Sequence, residues 1–244
     1  MNEEEKQNRL RLYDAFICLF LYLLCVSIPA IPGADQASFT GFMRFLCLAL
    51  VVPILTAKGN SFPKSSFKNV LLCLPLLVFA FGNMSSLLLF GKATYDPESD
   101  LLRSGVFTVG TALLEEVVFR FGLNEAIKKT KYGIFSILIV SALFGLCHLL
   151  SILAGAAPLT ALAQAGYTFL LGLFLGVAYE VGGLLPAFLL HFVFNFLQTD
   201  LYLALGGGNW DLPFFVCNGV CFLLAAAYGA FLFIRFIRRP KESV

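Results

Sequence analysis

A chain of 244 residues that is 59% hydrophobic and only 13% charged cannot assemble a water-facing surface, for which roughly 45–50% and 25% are usual. Its net charge of +2, with Lys and Arg in short clusters beside apolar runs, gives no continuous basic stripe and excludes a nucleic-acid partner. All seven cysteines lie in apolar stretches without C-x-x-C spacing, which argues against a disulfide framework or a zinc knuckle and leaves them as small core residues.

Only helices and closed barrels satisfy backbone polar groups in hydrocarbon, and a helix needs about 20 residues to cross it. Eight long apolar runs without period-two alternation therefore predict an all-α integral membrane protein. The expected architecture is a single polytopic domain over residues 1–244, a bundle of about eight transmembrane helices. The runs are approximately Ala15 to Ile31, Phe42 to Ala57, Val70 to Phe90, Val106 to Ile127, Tyr132 to Ala154, Thr160 to Tyr179, Gly182 to Ala204 and Pro213 to Ile237. Turn-forming residues separate them, among them Pro32-Gly33, Gly59-Asn60, Asp96-Pro97, Ala154-Gly155, Gly182-Gly183 and Gly206-Gly207-Gly208-Asn209.

Charge sets the expected orientation. Thirteen of the seventeen basic residues fall on one side of the eight spans: Lys6, Arg9, Arg11, Lys58, Lys64, Lys68, Lys128, Lys129, Lys131, Arg235, Arg238, Arg239 and Lys241. Arg44, Lys92 and Arg103 flank the other side, so the positive-inside rule puts both termini in the cytoplasm, as an even number of spans requires. Short loops and the lack of room for a soluble domain suggest a prokaryotic plasma membrane. Gly172 and Gly176 on the sixth span form a G-x-x-x-G that permits close helix packing, within the bundle or between subunits, so the oligomeric state stays open.

An ionisable side chain at the bilayer centre costs about 2.5–3.5 kcal/mol on insertion scales, so each one marks a functional-site candidate. Here they converge on three spans. Glu115, Glu116 and Arg120 lie on the fourth, His148 on the fifth, and His191 with Asn195 on the seventh; the two histidines are the only ones in the chain. Glu116 and Arg120 are four apart and can pair, which offsets the burial of both charges. Glu115 is rotated about 100° from Glu116, away from that pair, and is left for general-base duty. His191 and Asn195, also four apart, present an imidazole and an amide together, two donors suited to a developing oxyanion. Phe144 shares a face with His148 and is expected to hold the imidazole in one rotamer.

Taken as motifs, Glu115-Glu116-(x)3-Arg120, Phe144-(x)3-His148 and His191-(x)3-Asn195 resemble the three motifs of the CAAX prenyl endopeptidase and bacteriocin-processing (CPBP, Abi) family of intramembrane proteases. They stand in the family's order, each on its own predicted span, and the resemblance runs from about Val106 to Leu203. Phe121 departs from it, standing where a glycine commonly follows the arginine, with Gly122 one place later. The resemblance implies a glutamate-type endopeptidase acting on a lipidated or other membrane-associated peptide, without metal or other cofactor, and with membrane lipid around it. In that reading Glu115 and His148 activate a water, His191 and Asn195 hold the oxyanion, and Glu116, Arg120 and Phe144 support them. A zinc protease is less favoured, since there is no H-E-x-x-H. Two other classes stand beside the protease: a non-catalytic bacteriocin-immunity protein, and a transporter using Glu115 and the histidines as a proton relay.

Overall fold

A computed structural model of the chain describes residues 2–28, 35–91, 93–153, 155–207 and 211–237. The turn at Pro32-Gly33, Lys92, Ala154, the Gly208-Asn209 end of the glycine run, and the basic residues Arg238, Arg239 and Lys241 lie outside these, as does the side chain of Lys58. Among the described residues the protein is all helix, with no strand. The eight helices, in chain order, are α1 (Glu3–Ser27), α2 (Gln36–Thr56), α3 (Phe67–Phe90), α4 (Leu101–Glu116, continuing through Val117–Asn124 into Glu125–Lys128), α5 (Gly133–Ile152), α6 (Pro158–Gly182), α7 (Leu184–Ala204) and α8 (Leu212–Ile237).

Seven of these are long and apolar enough to cross a membrane, and the protein is a multi-pass membrane protein. The eighth expected span, α4, is long enough to cross but carries Glu115, Glu116 and Arg120 where the others carry leucine and phenylalanine. Ionisable residues within a membrane span are functional-site candidates by default.

Caps set several of the helix starts. Asn2 and Glu5 form a capping box, the Glu5 N–H donating to Asn2 Oδ1 at 2.7 Å and the Asn2 N–H to Glu5 Oε2 at 3.2 Å. That box explains why α1 begins at Glu3 rather than near Ala15, where hydropathy alone placed it: a helix runs on through polar residues once its first turn is satisfied. Asp35, Ser66 and Asp211 cap α2, α3 and α8 in the same way. Gly183, at φ 81°, separates α6 from α7 in a conformation that disfavours any side chain.

The packing inverts the soluble pattern. On α1 the small residues Ala15, Cys18 and Cys25 are buried with Tyr22, while Phe16, Ile17, Phe20 and Leu24 point outward. Small side chains inside and large apolar ones outside are what lipid selects, because close backbone approach rather than water exclusion holds the helices. Six of the seven cysteines are buried and Cys147 is half-buried, consistent with their reading as small packing residues.

Two compact units are distinguished, Met1–Pro63 with Leu113–Gly176, and Lys64–Ala112 with Val177–Val244. In the first, α1 packs on α2 and on the Val117–Asn124 stretch of α4. The glycines of α6 serve here: a Cβ on Gly172 would stand 3.0 Å from Ser141 Cβ, and one on Gly176 would stand 2.6 Å from Ile137 Cγ2. Gly145 repeats the device from α5, where a Cβ would lie 2.7 Å from the Ala165 carbonyl. Gly172 and Gly176 thus seat α6 against α5, the helix that carries His148. Gly172→Leu is expected to destabilise the unit by about 1–3 kcal/mol, as overpacking does elsewhere. A melting temperature in detergent equal to that of the wild type would show that the contact is not tight.

In the second unit α3 packs against α7 and α8. An amide cluster ties the three. Asn83 Nδ2 donates to the Gln198 carbonyl at 2.9 Å, Gln198 Nε2 to the Phe79 carbonyl at 3.1 Å, and Asn218 Nδ2 to Asn83 Oδ1 at 2.9 Å. Polar groups that satisfy one another are the glue of helices in lipid, and Gln198 lies one turn beyond Asn195.

Candidate active site

The first unit holds five of the seven residues singled out from sequence. Glu115 and Glu116 are the last residues of the α-helical part of α4, and the next eight, Val117–Asn124, wind as a π-helix, all of them buried. Inside that wider turn the Glu125 N–H reaches back five residues to the Arg120 carbonyl. Stretches of π-helix are rare and gather at functional sites, since they aim side chains that a regular helix would place elsewhere.

Arg120 Nε stands 3.3 Å from Glu116 Oε2, with both side chains withdrawn from solvent. This is the pair expected from the spacing. Its guanidinium also lies over the Phe144 ring, 5.4 Å from the centroid, so the cation is shared between a carboxylate and an aromatic face. Phe121, the departure from the family pattern, packs on Phe62 with centroids 4.4 Å apart, and Arg11 lies 6.0 Å above its ring.

Glu115 is 5% exposed, and one sequence expectation about it needs correction. Helical spacing offered it no partner, yet Tyr22 of α1 donates its phenolic O–H to Glu115 Oε1 at 2.9 Å. The donor comes from 93 residues away in sequence, so no periodicity on α4 could reveal it. Cys147 and Tyr167 lie within electrostatic range of the same carboxylate.

His148 sits where α5 changes from α-helix (Ser136–Cys147) to 3-10 helix (His148–Ile152). The change has a chemical consequence. The His148 backbone N–H turns to the carbonyls of Gly145 and Leu146, which leaves the Phe144 carbonyl to accept from His148 Nδ1 at 2.8 Å. A carbonyl only accepts, so Nδ1 carries a proton and Nε2 is the ring nitrogen left to face the site. The expected packing is also found: the Phe144 and His148 rings meet edge to face, 5.0 Å between centroids. Phe144 in turn meets Phe119 at 5.1 Å, and Phe119 meets Tyr22 at 5.4 Å. A run of four rings therefore links the imidazole to the phenol that holds Glu115.

His191 and Asn195 belong to the second unit. They lie one turn apart on the α-helical part of α7, His191 buried and Asn195 half-buried. The helix becomes π immediately after Asn195, over Phe196–Leu201, whereas in α4 the π stretch begins within the motif and includes Arg120. Phe194, between them in sequence, stacks on Phe79 with centroids 5.1 Å apart, which fixes α7 against α3. Two further polar residues were not singled out from sequence: Thr108 Oγ1 donates to Asp200 Oδ2 at 2.6 Å. Their signal was available, since Asp200 is a carboxylate within a predicted span. Among the described residues no three His, Cys, Asp or Glu side chains stand together as a metal-binding group.

These features define a class: an all-helical membrane protein with a buried carboxylate pair, one member ion-paired to arginine, and two histidines on further membrane helices. A family model described as type II CAAX prenyl endopeptidase, Rce1-like, matches residues 97–197, a segment that contains all three motifs. Over that segment the chain is similar to this family of CAAX-type membrane proteases. No curated protein and no solved structure matches the chain.

Proposed function

We propose that the protein is a glutamate-dependent intramembrane endopeptidase that cleaves near the C-terminus of a prenylated or otherwise membrane-associated peptide. In this mechanism Glu115 takes a proton from water as the oxygen adds to the scissile carbonyl, and His148 holds that water through Nε2. His191 and Asn195 donate to the oxyanion of the tetrahedral intermediate. Collapse of the intermediate breaks the C–N bond, and the proton held by Glu115 passes to the leaving amine. Glu116 and Arg120 fix the end of the α-helical turn that carries Glu115, and Phe144 holds the His148 ring.

The observation that carries this reading is the division of labour between adjacent carboxylates. Arg120 Nε stands beside Glu116 Oε2, whereas Glu115 Oε1 accepts from the neutral Tyr22 phenol. Two glutamates with one role would share one environment; these do not. The family match supports a prenylated or other peptide substrate, and the basic-residue distribution supports cytoplasmic termini.

Cleavage of a farnesylated quenched peptide by the detergent-purified protein tests the proposal. His148→Ala is expected to lower kcat about 10²-fold, the scale for misplacing a reacting group, here the attacking water. Equal turnover by His148→Ala and wild type would remove His148 from the mechanism.

A further inference from the structure

Tyr22 lies outside the segment matched by the family model and outside all three motifs, on the first helix of the chain. Its phenol nonetheless makes the hydrogen bond to Glu115 described above. We infer that Tyr22 is a positioning residue for the catalytic carboxylate: its O–H holds Oε1 of Glu115 and so turns Oε2 toward the water. The inference rests on Glu115 being the base.

Three features support an orienting role over incidental packing. Tyr22 is 4% exposed, so its O–H has no bulk water to turn to, and a buried phenol finds a polar partner or is strongly penalised. The ring is held edge-on against Phe119, with planes 85° apart, which sets the direction of the C–O bond. Phe119 is itself part of the π-helical turn that begins two residues after Glu115, and α1 packs along that turn. The donor and the acceptor are therefore fixed by the same local packing, and the carboxylate has one oxygen engaged before any substrate arrives. A base held in a single rotamer reaches the attack geometry without reorganisation, which acts on kcat rather than on substrate binding.

Tyr22→Phe keeps the ring on Phe119 and deletes only the donor. Loss of a hydrogen bond to a charged group corresponds to about a 10–100-fold fall in kcat. KM is expected to stay within error of the wild type, with only the small loss of melting temperature that one buried hydrogen bond accounts for.

The experiment measures kcat, KM and melting temperature in detergent for wild type, Tyr22→Phe, Tyr22→Leu and Glu115→Gln, on one farnesylated quenched peptide. The predicted result for Tyr22→Phe is a fall in kcat at unchanged KM with a small fall in melting temperature, and Tyr22→Leu loses far more thermal stability as its ring contact with Phe119 goes too. Full turnover by Tyr22→Phe, beside an inactive Glu115→Gln, would overturn this inference while leaving the proposed mechanism standing. A rise in KM at unchanged kcat, or a melting temperature that falls in step with the rate, would also overturn it, assigning Tyr22 to substrate contact or to packing. An active Glu115→Gln would bring down the mechanism itself, and the positioning role with it.

Discussion

Glu115→Gln is expected to leave a folded protein whose kcat is about 10²–10⁴-fold lower, the range for removing a general base. The substitution is close to isosteric, and the amide oxygen still accepts from Tyr22, so that hydrogen bond survives. What disappears is the capacity to take a proton from water. The same change at Glu116 should behave differently, because that carboxylate is paired with Arg120 and is assigned a supporting role in the proposed mechanism. Steady-state rates with melting temperatures separate the two: Glu115→Gln loses turnover with its fold intact, and Glu116→Gln loses stability first. Equal turnover by Glu115→Gln and wild type would contradict the assignment of the base.

Arg120→Leu is the second large effect, and it falls on stability. Glu116 and Arg120 are both withdrawn from solvent, and removing the cation leaves a carboxylate in an apolar interior, at a cost of about 3–5 kcal/mol. For a chain of this size that corresponds to a melting temperature lower by about 6–20 °C. The double variant Glu116→Leu with Arg120→Leu is expected to recover most of the loss, since it removes both charges and leaves apolar packing in their place. Activity need not recover with stability. Arg120 also covers the Phe144 ring, which packs on His148, so the double variant tests whether the cation shapes the site as well as the fold. A double variant no more stable than Arg120→Leu alone would show that the pair is not what the charges are retained for.

The membrane helices were legible in the sequence because lipid imposes a crude and regular demand, about twenty apolar residues between turns. The Glu116 and Arg120 pair and the Phe144 and His148 contact were legible for a related reason: each joins residues one helical turn apart. The limits of that reading are equally physical. Hydropathy began α1 near Ala15, because it registers the apolar stretch and not the capping box that starts the helix at Glu3. Tyr22 was invisible as a partner of Glu115, since the contact joins α1 to α4 and neither helix's period encodes it. The π turns after Glu116 and after Asn195, and the 3-10 turn that frees the Phe144 carbonyl for His148, carry no residue signature of their own. The G-x-x-x-G of α6 was ambiguous between partners; the close approach of Gly172 to Ser141 places it within the chain.

The central claim is that a carboxylate and an imidazole, rather than a metal, activate the water that cleaves a lipidated peptide. The most direct measurement is mass-spectrometric mapping of a farnesylated peptide after incubation with purified wild type, with Glu115→Gln in parallel, in the presence and absence of a strong chelator. The account predicts cleavage at a single bond near the C-terminus, abolished by Glu115→Gln and unchanged by the chelator. Cleavage that the chelator removes, or that Glu115→Gln retains, would contradict it.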